Sequence, residues 1–151
     1  MTAPAPLPQL WPDLSGRFEG GRHVLPVRVY FEDTDFSGVA YHASYIRWCE
    51  RGRSDWLRLL GVHHSTLAAD AEPAAFVVRR LTIDYLKPAR IDDVLEVVSA
   101  RKAMTTATLT LAQEVLREGV LLAKAEVLVV LVSAQGRPMR LPGKLREVFG
   151  G

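Results

Sequence analysis

The sequence predicts an α+β fold, one antiparallel sheet wrapped around a long central helix, and three observations predict it. Val27, Val29 and Phe31 alternate with Arg28, Tyr30 and Glu32, the period of two that marks a strand with one buried face. From about Ala43 to Leu60 the period becomes helical, and from Phe76 to Val132 it returns to that of strands, four in succession. One strand, one helix and a run of strands cannot form an alternating parallel sheet, so the helix must pack on one antiparallel layer.

A chain of 151 residues is the size of one domain able to bury a core without staples. Residues 1–23 are rich in proline and glycine and lack periodicity, and they are expected to form a flexible N-terminal extension, leaving 24–151 as the domain. Neither a basic n-region nor an apolar h-region opens the chain, so no secretory signal is expected. The longest apolar run, Val120 to Val132, is interrupted by Lys124 and Glu126 and is too short for a membrane span. A single cysteine, Cys49, excludes an internal disulfide and a thiolate zinc site and fits a reducing, cytoplasmic setting. The net charge of +2 argues against a nucleic-acid partner.

The first strand runs into a junction that holds Glu32, Asp33, Asp35, Gly38 and His42 just before the helix. A helix start presents backbone N–H groups without intrahelical partners, and these can bind an anion or a developing oxyanion. Asp35 stands a few residues upstream, and Gly38 supplies a positive φ or a close backbone approach. A carboxylate facing an amide pair suits hydrolysis of an activated carbonyl compound. Asp33, Thr34 and Ser37 also have the composition of turn and cap residues.

Within the helix, Tyr45, Ile46, Trp48, Cys49, Gly52, Trp56, Leu57, Leu59 and Leu60 fall on one broad arc, so the helix is expected to be largely enclosed. Gly61 ends it. Arg53 projects from the apolar side, where a buried guanidinium needs a partner, Glu50 one turn earlier being the nearest carboxylate; the alternative is a side chain that snorkels its charge out to solvent. A short helical stretch over 64–70 follows. Strands are then expected over 76–85, 94–103, 106–117 and 120–132, the last three as an antiparallel meander turning at Glu118-Gly119, with a terminal helical turn over 145–149.

The order Val27-Arg28-Val29-Tyr30-Phe31-Glu32-Asp33-Thr34-Asp35, Gly38-Val39-Ala40-Tyr41-His42-Ala43-Ser44-Tyr45, Glu50-Arg51 with Arg53, Phe76-Val77-Val78-Arg79, and Asp84-Tyr85 with Pro88-Ala89-Arg90 resembles the hotdog-fold acyl-CoA thioesterases. Within them it is most similar to the 4-hydroxybenzoyl-CoA thioesterase branch and the Tol-Pal-associated YbgC-type enzymes. The resemblance spans about Val27 to Phe149 and rests on separate segments agreeing in order and spacing.

That resemblance implies an acyl-CoA substrate, no metal and no cofactor. Asp35 matches the family's catalytic aspartate, as general base or nucleophile, and His42 falls where a helix-start amide polarises the thioester carbonyl. Gly38 matches the turn glycine that admits substrate; Phe31, Val39 and Tyr41 flank it as substrate-binding positions, with phenylalanine at 31 where YbgC-type relatives carry tyrosine. Arg79 and Arg80 are expected to contact CoA phosphates, with Lys87, Arg90, Arg101 and Lys102 as further candidates. The family implies a homodimer or a dimer of dimers (a homotetramer) with sites at the subunit boundary, and a peripheral link to envelope proteins. Two rivals are an Asp-x-Asp phosphotransferase using Asp33 and Asp35, disfavoured by four successive strands, and a non-catalytic acyl-CoA-binding or scaffold protein.

Overall fold

The computed structural model describes residues 11–69 and 72–150. Seven strands form one antiparallel sheet in the order β1-β2-β4-β5-β6-β3, with the short β7 (Pro138–Met139) pairing to β6. These are β1 (Arg17–Glu19), β2 (Arg22–Arg28), β3 (Ala74–Tyr85), β4 (Val94–Met104), β5 (Thr108–Arg117) and β6 (Val120–Ser133). Helix α1 (His42–Leu59) packs across β2, β4 and β5, while α2 (His64–Ala69) lies on β3 and α3 (Gly143–Val148) closes the chain.

The expected meander is present: β4 pairs with β5 and β5 with β6, the latter turning at Glu118 and Gly119, both with positive φ. The start of the chain differs from expectation. Residues 17–28 form a hairpin through Gly20 and Gly21, so the extension does not reach His23; its first ten residues lie outside the described residues. The first strand also ends at Arg28 instead of Phe31. Periodicity hid it because His23, Val24 and Leu25 are all buried in succession. Pro26 is tolerated there because it sits past the end of β1.

Trp48, Cys49, Trp56 and Leu57 of α1 are buried against Leu95, Val97, Leu109, Leu111 and Val127 of the sheet. Gly52 permits the closest approach: a Cβ there would stand 2.9 Å from Val97 Cγ1 and 3.2 Å from Gln113 Nε2. The apolar arc is narrower than predicted, since Leu59 is exposed. A Schellman-type end terminates the helix, with Val62 N–H donating to Leu57 O at 2.8 Å and Gly61 at φ +85°. Burial pushes the Cys49 thiol up to about 11, which leaves it unreactive. Of the two readings of Arg53 the structure shows the buried one, but its partner is Gln113 rather than Glu50, which instead accepts a hydrogen bond from Ser54.

Candidate active site

Past β2 the chain tightens into a 3-10 turn over Phe31–Asp33, and Asp33 is consumed in building it. Its Oδ2 accepts the Tyr30 N–H at 2.9 Å, its carbonyl accepts Tyr41 N–H at 2.8 Å and Ser44 Oγ at 2.9 Å, and the residue is buried. A reverse turn follows, in which Asp35 N–H donates to Val39 O and Gly38 N–H donates back to Asp35 O, both at 3.0 Å. Gly38 adopts φ +85°, the conformation for which glycine is suited. Ala40 N–H donates to Ala89 O at 2.8 Å, tying this turn to the loop after β3.

Asp35 is thereby presented at a loop tip, exposed. Its Oδ1 accepts the Ser37 N–H at 2.8 Å and the Ser37 hydroxyl. These bonds hold its carboxyl below the ordinary carboxylate range, helped by the charge of His42. Asp35 and His42 line one open cleft of about 360 Å³ together with Ala40, Tyr45, Tyr85, Leu86, Lys87 and Pro88.

The floor of the cleft is the start of α1. Tyr41 is the N-cap and His42 the first helical residue, so the N–H groups of His42 and Ala43 belong to the turn whose donors the helix cannot satisfy internally. Tyr85 of β3 and Tyr45 of α1 also line the cleft. Tyr85 Oη donates to His42 O at 2.8 Å, and Tyr45 Oη accepts the Ala89 N–H at 2.8 Å. Arg117 braces the same loop, donating to Pro88 O at 3.2 Å and pairing with Asp93 at 2.7 Å.

The expected residues are therefore divided by the fold. Asp35 and His42 meet in the cleft; Gly38 and Val39 shape its turn, and the Tyr41 ring packs on His42 with centroids 4.4 Å apart. Phe31 does not line the cleft and stands 82% exposed beside it. Arg79 and Arg80 lie on β3 at a bulge, also outside the lining. Glu50, two turns along α1, is absent from the cleft. Tyr85 and Tyr45 were not singled out from sequence as site residues; the signal for Tyr85 was its place at the end of a strand, just before Lys87-Pro88.

A single antiparallel sheet curled on one long helix, with an acidic loop at the helix start, defines a hotdog protein of the thioesterase type. Residues 29–149 match the thioesterase-like superfamily, and the chain belongs to that family. It is 47% identical over 126 residues to the acyl-CoA thioester hydrolase YbgC of Escherichia coli O157:H7, covering 82% of this chain and 92% of that protein. It is 39% identical over 126 residues to the acyl-CoA thioesterase YbgC of Haemophilus influenzae, covering 83% and 92%. Among solved structures, a probable thioesterase from Bartonella henselae superposes with a TM-score of 0.78 at 39% identity, covering 80% of this chain and 99% of that one. The protein is a hydrolase of the thioesterase class.

Proposed function

We propose that this protein hydrolyses acyl-CoA thioesters to the free acid and CoA, with Asp35 as the catalytic carboxylate. The observation that carries the reading is the single cleft shared by Asp35 and the start of α1, in a chain nearly half identical to an acyl-CoA thioester hydrolase. A thioester carbonyl seated there places its oxygen at the N–H groups of His42 and Ala43, which favour negative charge as it develops. Asp35 then removes a proton from water as the water oxygen attacks the carbonyl carbon. The tetrahedral intermediate collapses by breaking the C–S bond, and the thiolate recovers the proton as CoA leaves. In the nucleophilic variant Asp35 attacks the carbonyl itself, expels the thiolate, and water cleaves the resulting anhydride. Asp35 is suited to either role because its carboxylate is ionised at neutral pH.

We assign substrate contacts to Gly38, Val39 and Tyr41, which neighbour Asp35, Ala40 and His42 along the chain, and to Phe31 on the preceding turn, while Lys87, which lines the cleft, supplies a cation for a CoA phosphate. Arg79 and Arg80 serve the phosphates only across a subunit boundary. Such a boundary is expected at β3, the outermost long strand, whose free edge is a template for a second copy, giving a homodimer or a dimer of dimers. Bare aromatic residues around the site, Phe31, Phe36 and Tyr30, also call for a covering surface. Among the described residues no helix is long and apolar enough to cross a membrane. We place the enzyme in the cytoplasm, with any contact to envelope proteins peripheral.

The decisive experiment measures hydrolysis of a panel of acyl-CoA thioesters by wild type and Asp35→Asn. Turnover should fall about 100-fold or more while a nonhydrolysable analogue binds within about threefold. Near-wild-type turnover in Asp35→Asn would remove the aspartate from the chemistry. Binding of the analogue with no hydrolysis by the wild type would make the protein a binder instead. Light scattering that gives a monomer at micromolar concentration would exclude the subunit boundary.

A further inference from the structure

Two tyrosines line the Asp35 cleft, and the fold uses their hydroxyl protons differently. Tyr85 Oη donates its proton to His42 O at 2.8 Å. Tyr45 Oη is an acceptor, taking the Ala89 N–H at 2.8 Å, and among the described residues nothing accepts the proton it carries. A phenol that accepts one hydrogen bond still has its own O–H to donate. Tyr45 is only 3% exposed, so bulk water does not take that bond either. A buried donor without an acceptor is costly, and the space that Tyr45 borders is the cleft.

The helix decides where this hydroxyl stands. Tyr45 lies one turn into α1, three residues after His42, and long side chains on a helix lean back over the preceding turn. Its hydroxyl accordingly reaches Ala89, whose carbonyl accepts the N–H of Ala40, two residues before the helix begins. The Tyr45 hydroxyl is thereby at the same end of α1 as the N–H groups of His42 and Ala43. The ring is fixed there, edge-on to Trp48 and Tyr85 with centroids 5.1 and 5.2 Å away. The bond from Ala89 polarises the phenol and strengthens it as a donor. Burial raises the Tyr45 pKa above the ordinary tyrosine value, against the Ala89 bond and the charge of Arg117, with Asp93 adding to the rise. The proton is therefore in place at neutral pH.

We propose that Tyr45 is a further catalytic residue, whose hydroxyl donates to the thioester oxygen beside the amides of His42 and Ala43 and holds it more tightly as it becomes an oxyanion. No proton is transferred: the hydroxyl keeps its own while the C–S bond breaks and the carbonyl re-forms. The proposal rests on the acyl-CoA reading above and adds a side-chain donor to its oxyanion site.

The test compares wild type, Tyr45→Phe and a protein in which difluorotyrosine replaces Tyr45, on the fastest substrate of a panel from acetyl-CoA to palmitoyl-CoA. Tyr45→Phe should lower kcat about 100-fold with KM within about threefold, because the bond counts chiefly in the transition state. A trifluoromethyl ketone analogue of that substrate, whose hydrate carries the tetrahedral oxygen, should bind about 100-fold more weakly to Tyr45→Phe. A thioether analogue lacking the carbonyl should bind within about threefold of wild type. Tyr45→Phe also leaves the Ala89 N–H without its acceptor, so the fluorinated protein, which keeps that bond, separates chemistry from folding. Its phenol is more acidic and loses the donated proton sooner, so the alkaline limb of kcat should move down by about one pH unit or more. The other titratable groups lining the cleft, Asp35, His42, Tyr85 and Lys87, are the same in both proteins. A kcat within threefold of wild type in Tyr45→Phe, equal weakening of the two analogues, or an alkaline limb unmoved by fluorination would remove Tyr45 from the chemistry and leave the thioesterase reading standing. Absence of hydrolysis by wild type at every chain length would instead overturn that reading, and the donor with it.

Discussion

Arg53 Nη1 donates to Gln113 Oε1 at 3.0 Å across the interface between α1 and β5. Gln113 Nε2 meanwhile donates to Cys49 O at 2.9 Å and Ser99 Oγ at 2.8 Å, so one neutral amide satisfies groups from helix and sheet. Arg53 is only 9% exposed and, among the described residues, forms no ion pair. Burial accordingly lowers its pKa from the usual guanidinium range.

Gln113→Leu should therefore be the more damaging half of this pair. It strands a buried guanidinium and two further polar groups, at a cost of about 3 kcal/mol or more. Arg53→Met removes the charge with its desolvation penalty and leaves only Gln113 Oε1 unpaired, costing about 1 to 2 kcal/mol. Arg58→Ala, on the exposed face, should stay within about 0.5 kcal/mol. Urea denaturation of the three variants checks the order; Gln113→Leu no less stable than Arg58→Ala would show that the amide is dispensable.

Asp33 and Glu50 should separate cleanly from Asp35. Asp33→Ala leaves the Tyr30 N–H without its acceptor and should cost about 2 kcal/mol, with turnover reduced less than about tenfold in the folded fraction. Glu50→Gln should leave stability within about 0.5 kcal/mol, because its bond is to exposed Ser54 and not to Arg53. Parallel melting curves and acyl-CoA assays distinguish these effects, and a collapse of turnover in folded Asp33→Ala would reassign the carboxylate.

Ser37 tunes Asp35. Its hydroxyl and N–H both donate to the carboxylate, so the charged form is favoured and Asp35 stays ionised below the ordinary carboxylate range. Removing the hydroxyl in Ser37→Ala should raise the Asp35 pKa towards its ordinary value and move the acid limb of kcat/KM upward in pH. Carbon-detected NMR titration of the Asp35 carboxyl in both proteins measures the direction; a downward or absent shift would mean that the serine bonds do not hold it.

His23 should make stability fall on acidification. The ring is fully buried, with Nε2 against Ser15 O at 2.7 Å and Nδ1 without a partner. Burial lowers its pKa from 6.5, chiefly through desolvation. Below the unfolded value of 6.5 the unfolded chain takes up the proton more readily than the native one, so stability present above that pH is lost as pH falls towards the native pKa. The loss is at most ~1.4 kcal/mol for each unit traversed. Replacing His23 by Phe should flatten unfolding free energy between pH 7.5 and 5, measured by denaturant titration; an unchanged slope would assign the acid sensitivity to other groups.

Local pattern carried much of this architecture. The change from period two to period 3.6 near residue 42, the glycine turn at 38, the C-terminal stop at Gly61 and the meander from β4 to β6 are each written within a few residues, because alternation and turn geometry are properties of neighbours along the chain. Spacing also placed Arg53 among Cys49 and Leu57, while leaving open whether its charge reached solvent. What the sequence left open depended on strand register. The partner of Arg53 stands 60 residues later on β5, where the ladder turns Gln113 towards the helix. Tyr85 reaches His42 over 43 residues because β3 ends beside the start of α1. Asp33 and Asp35, two residues apart, became a buried brace and an exposed acid when the strand closed into a 3-10 turn at Phe31. Each of these outcomes is fixed by which distant backbone supplies the hydrogen bonds, a long-range choice settled only when the whole sheet closes on its helix.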